Sequence, residues 1–176
     1  MRRGFASVFS REALRAWGLA LAIFSVILPA LPLGPLFAQP PFPLAVLWAA
    51  FGWAAEDESS WRAPAALALL GIVHDQLAGG PFGLFVAIYL FAYVIGRVIA
   101  GAMSAPNIVS LWGGFIATAL ASVMVAWPLA RWALGDVVSV LSYAKAAMVT
   151  ALLFPLFRPL YMDATHNPRA DKRGRR

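Results

Sequence analysis

Between Glu58 and Asp163 the chain carries only seven charged residues, Arg62, Asp75, Arg97, Arg131, Asp136, Lys145 and Arg158, set among long apolar runs. Runs of that length with so few charges fit transmembrane helices. The chain as a whole is 61% hydrophobic and 12% charged, about half the charged fraction usual in a soluble domain. Its cations gather at the two ends: Arg2, Arg3, Arg11 and Arg15, then Arg169, Lys172, Arg173, Arg175 and Arg176. A net charge of +6 therefore does not point to nucleic acid. Basic residues that flank apolar spans orient a membrane protein and attract anionic headgroups. The absence of cysteine excludes disulfides, thiolate catalysis and cysteine-ligated metals.

Proline and glycine divide the apolar sequence into six segments. The first runs from about Leu14 to Leu31 and ends at Pro29, Pro32 and Pro35, each of which removes a backbone donor. Leu36-Phe37-Ala38 imitates a signal-peptide cleavage site. Cleavage there would set the later segments against the charge rule, so the first span reads as uncleaved. The second, Pro43 to Ala55, covers roughly 20 Å, short of a ~30 Å hydrocarbon core.

Pro64 opens a third segment ending near Ala78, and Gly79-Gly80-Pro81 forms a turn in which proline suits the first position of the next helix. The fourth reaches about Gly101, the fifth runs from about Ile108 to Trp132, and the sixth from about Val137 to Pro159, with a kink at Pro155. A re-entrant second segment would leave five crossings and one arginine-rich terminus outside. Six crossings keep both basic termini in the cytoplasm. The expectation is a single all-α domain over residues 1–176, with short basic tails at about 1–13 and 162–176. Trp48, Trp53 and Trp61 suit an interfacial belt beside the Glu56-Asp57-Glu58 loop.

Asp75 is the most informative residue, because a carboxylate within a membrane helix must face protein or water. Gly71 and Gly79, at i−4 and i+4, share its helix face and let another backbone approach. An interhelical anchor is the favoured role, and a proton or ion site the other. Lys145 lies at a similar depth from the same external side and is the natural partner, unless it snorkels outward. Arg97 sits where a long cation reaches the inner interface. Ala92, Gly96 and Ala100 form a small-residue stripe suited to close helix contact. Neither His74 nor His166 has a second ligand at metal spacing, and no nucleophile motif, phosphate loop or zinc motif occurs. Catalysis and cofactor binding are not expected.

One stretch resembles a known family. Gly71-Ile72-Val73-His74-Asp75, followed by Gly79-Gly80-Pro81-Phe82-Gly83-Leu84, is similar to the rod shape-determining protein MreD family. That family shows a glycine, an aspartate four residues on, and then a Gly-x-Pro-x-Gly-like turn, often with an arginine late in the next span, where Arg97 stands. His74 occupies a place where an aliphatic residue is expected. The resemblance implies a fold similar to the substrate-binding subunits of energy-coupling-factor transporters. It also implies a non-enzymatic scaffold in the bacterial inner membrane, without cofactor or metal. Its partners would be an MreC-like bitopic protein, a RodA-type glycosyltransferase and its penicillin-binding transpeptidase, and indirectly MreB filaments, with lipid around it. Taken with the residue reading above, interhelical or partner contacts are expected at Gly71, Asp75, Gly79, Pro81, Gly83, Ala92, Gly96, Arg97, Ala100 and Lys145. The fold similarity also brings in the alternative, a small-molecule-binding subunit of a membrane transporter. A pocket of converging polar and aromatic groups would be its mark.

Overall fold

The structure, a computed structural model, describes residues 11–28, 45–56, 61–79, 81–103, 107–134 and 140–162. Most of these residues are helical, without a strand among them. The helices are α1 (Arg11–Ile27), α2 (Ala45–Ala55), α3 (Arg62–Ala78), α4 (Leu84–Ala102), α5 (Ile108–Leu134) and α6 (Val140–Phe157), followed by a 3-10 turn at Arg158–Leu160. Two are long and apolar enough to cross a membrane, α4 and the Ile108–Trp132 part of α5. The proline-rich stretch that ends the first segment, the start of the second at Pro43 and most of both basic tails lie outside the described residues.

α2 is the hub of the bundle. Its sequence, AVLWAAFGWAA, is apolar around the whole circumference, so it has no polar face to present and belongs inside protein. It touches α1, α3, α4, α5 and α6, and packs most extensively on α4. Ala45 to Gly52 and Ala54 are buried. Phe51 sits edge-on to both Phe115 and Phe154, at 5.7 Å from each, and those two rings stack on one another at 4.3 Å.

This placement corrects the reading of Trp48 as an interfacial residue. Trp48 is 1% exposed and stacks on Phe157, and its indole N–H donates to the Thr150 carbonyl at 2.8 Å. The reason lies in α6. Pro155 is inside that helix, has no N–H to give, and its ring crowds the carbonyl four residues back. That carbonyl, Ala151, accepts the indole N–H of Trp112 at 2.8 Å. Two tryptophans, from α2 and α5, thus serve adjacent carbonyls at the proline break. Trp53 is half-buried, whereas Trp61 is 76% exposed.

The last described residues return to the first helix. The Tyr161 hydroxyl donates to the Gly18 carbonyl at 2.8 Å. A Cβ at Gly18 would stand 3.0 Å from the tyrosine ring, and one at Gly52 would stand 2.5 Å from its Cβ. Two glycines on α1 and α2 therefore make the slot that Tyr161 fills. At the same end Arg15 and Glu56 form a 3.1 Å ion pair joining α1 to α2.

Candidate functional site

The segment that carries the resemblance forms the junction of α3 and α4. α3 stops at Gly79, whose φ of 64° is left-handed, a conformation that glycine adopts without steric cost. α4 starts after Gly83, whose φ is 97°. Glycine therefore stands on both sides of the turn because the backbone requires it. Pro81 does not occupy the first position of α4, as the sequence suggested. It lies in the turn, its carbonyl accepting the Leu84 N–H at 3.3 Å, and the helix begins three residues later.

Asp75 is 2% exposed. Its two carboxylate oxygens accept the backbone N–H groups of Gly83 at 2.8 Å and Phe85 at 2.9 Å. The first turn of any helix leaves N–H groups without an internal partner, and glycine has no side chain with which to cap them. Asp75 supplies the cap from the neighbouring helix, and the positive end of the α4 dipole favours its charge. Hydrogen bonds to a charged group contribute ~1.5–3 kcal/mol each. One turn earlier, Gly71 is where the backbones meet. A Cβ there would stand 2.6 Å from the Val86 backbone nitrogen and Cα. Gly71 thus permits the approach that lets Asp75 reach the start of α4.

The structure gives Asp75 partners other than Lys145. Lys145 is exposed on α6, and the carboxylate is already engaged by the α4 amides. The physical reason is proximity. Two amides eight and ten residues along, presented by a tight turn, need almost no further ordering, whereas a flexible lysine on a distant helix does. Asp75 remains an interhelical anchor, and what it anchors is the start of α4.

His74 was missed by sequence reasoning as a contributor. Its ring stacks on Phe85 at 3.6 Å and 7°, and its Nδ1 is hydrogen-bonded to the Tyr89 hydroxyl. Phe85 and Tyr89 are one helical turn apart on α4. That spacing, opposite a histidine beside the capping aspartate, was the available signal. The remaining buried polar side chains, Thr118, Ser122 and Thr150, bond the carbonyls of Gly114, Thr118 and Ala146 in their own helices.

The small-residue stripe of α4 faces inward. Ala92 is 0% exposed, and a Cβ at Gly96 would lie 3.2 Å from the Phe51 ring and 3.3 Å from the Ala54 Cβ. Ala100 is half-buried. The stripe packs against α2 within the chain. Arg97 reaches along its own helix to the Tyr93 hydroxyl at 3.3 Å, with its guanidinium 6.0 Å from the tyrosine ring centroid. Of the predicted residues, Gly71, Asp75, Gly79, Pro81 and Gly83 converge on one junction. Ala92, Gly96, Arg97 and Ala100 lie farther along α4, and Lys145 stands apart. Among the described residues no cluster of three or more His, Asp or Glu side chains is placed to hold a metal ion.

Comparison with protein-family models, with characterised proteins and with solved structures gives no match for this chain.

Proposed function

We propose that this chain is a six-span protein of the bacterial inner membrane with both termini in the cytoplasm. Its role would be that of a non-enzymatic scaffold of the MreD type in the cell-elongation machinery. It would bind an MreC-like bitopic protein and support a RodA-type glycosyltransferase with its penicillin-binding transpeptidase, beneath MreB filaments. The observation that carries this reading is the work given to Asp75. The segment resembling the family spends its one buried carboxylate on fixing α4 to α3, which is construction rather than chemistry.

Two further observations support it. Val94 and Val98 on α4, Leu120 and Met124 on α5, and Met148, Leu152 and Leu156 on α6 are 56–78% exposed, as helices surrounded by lipid or partner spans require. Arg15 and Tyr161 lie at one end of the bundle, where Tyr161 meets Gly18, which accords with an even number of crossings.

Affinity purification of the full chain from membranes in mild detergent, followed by mass spectrometry, tests the reading. MreC-like and RodA-like proteins should co-purify. Recovery of an ATPase module in their place would favour the transporter subunit and reject the scaffold.

A further inference from the structure

A groove of about 310 Å³ lies between α5 and α6, lined by Trp112, Ala119, Val123, Ala144, Ala147 and Ala151 among others. Its lining is almost wholly apolar, and alanines make much of its floor. From Trp112 to Val123 it extends ~16 Å along α5 by helix rise. At its inner end the helices are joined by the bond from Trp112 to the Ala151 carbonyl. A space of that volume drawn out over that length is a slot. It suits one hydrocarbon chain and is too slender for a third helix ~10 Å across.

Lys145 marks the other end. It follows Ala144 and is one turn before Met148, both of which line the groove, so it stands on the rim. It is exposed and has no ion-pair partner among the described residues. A cation on a helix within a bilayer is costly unless it reaches an anion or the headgroup layer. The stem of Lys145 can carry its ammonium toward the Val140 end, which the antiparallel order of the helices places with the α3–α4 turn.

From this juxtaposition we infer that the groove holds one acyl chain of an anionic phospholipid, whose phosphate is bound by Lys145. A carboxylate on a partner helix could also satisfy Lys145, but it would leave the slot unfilled, whereas a phospholipid accounts for cation and groove together. The inference rests on placing α5 and α6 in a bilayer and is independent of the scaffold's partners.

The test is native mass spectrometry of the full chain in mild detergent, offered phosphatidylglycerol and phosphatidylcholine of matched chain length. Phosphatidylglycerol should be retained preferentially. Lys145→Gln should reduce that preference at least threefold, and Lys145→Arg should keep it. Ala144→Phe, which places a ring in the groove from an exposed position, should lower retention of both lipids. Equal retention of the two lipids by the unaltered chain would overturn the inference, as would an undiminished preference in Lys145→Gln. Displacement of the lipid by inorganic phosphate alone would mean a headgroup site without an acyl slot and would also overturn it. So would a Lys145→Gln variant that loses a co-purifying protein while keeping its lipid. Partner recovery is read separately, so failure here leaves the scaffold proposal standing.

Discussion

The Trp112 indole and the Ala151 carbonyl are joined at 2.8 Å because Pro155, four residues beyond Ala151, has no N–H to offer that carbonyl. The proline break in α6 is thereby converted from a weakness into a joint between α5 and α6. In hydrocarbon an unserved carbonyl has no water to turn to, so the joint matters more there than it would in a soluble bundle.

Trp112→Phe should therefore lower stability by ~1 kcal/mol or more, the cost of stranding a half-buried acceptor. Combining it with Pro155→Ala, which restores the helical donor, should recover part of the loss. Thermal unfolding in detergent of the two single variants and the double variant measures this, and strictly additive changes would refute the coupling.

Asp75→Ala should cost more than Asp75→Asn. Alanine strands the N–H groups of Gly83 and Phe85, at ~1–3 kcal/mol for each group, while asparagine keeps one good acceptor. Because Asp75 and Lys145 do not meet, Asp75→Asn and Lys145→Met should act independently in a double-mutant cycle. A coupling above ~0.5 kcal/mol would restore the pair.

Glycine positions separate contact from flexibility. Gly71→Ala should destabilise by ~1–3 kcal/mol through overpacking, since its Cβ would meet the Val86 backbone at 2.6 Å. Gly96→Leu should do the same against Phe51 and Ala54. Gly113→Ala, on α5 with nothing within 4 Å of its Cβ, should be neutral or stabilise by up to ~1 kcal/mol through helix propensity. A uniform response of the three sites in thermal unfolding would contradict the packing described.

On the proposed six-span topology, reporter fusions at residues 1 and 176 should both register the cytoplasm. A periplasmic signal from either would remove the six-span arrangement.

What was legible in the sequence followed from local rules. α4 and α5 stand out as long apolar runs, Gly79 as a helix stop, and Gly71 with Asp75 as one face of α3, all from spacing. The rest depended on what only folding brings together. α2 has no periodicity to read, since every side of it is buried, so its position at the hub was invisible. Tryptophan's preference for interfaces misplaced Trp48, because its buried partners, the Phe157 ring and the Thr150 carbonyl, lie about a hundred positions later. Lys145 looked like the partner of Asp75 by depth alone. The nearer amides of Gly83 and Phe85 were hidden because backbone donors carry no signature in a sequence. Gly18 and Gly52 gave no sign of receiving Tyr161, as the slot exists only once α1 and α2 are side by side.

The burial of α2 on all sides has a consequence for the solvents the protein tolerates. In water its apolar perimeter would drive association, but lipid tails are as apolar as its side chains. In the membrane proposed for this chain its grip would therefore come from dispersion and close fit, with Phe51, Trp48 and the alanines meshed against five neighbouring helices. A helix held by fit competes with any molecule that fills the same space equally well. Compact, short-chain detergents are such molecules, and extraction in them should part the outer helices from α2 and open the bundle at its hub.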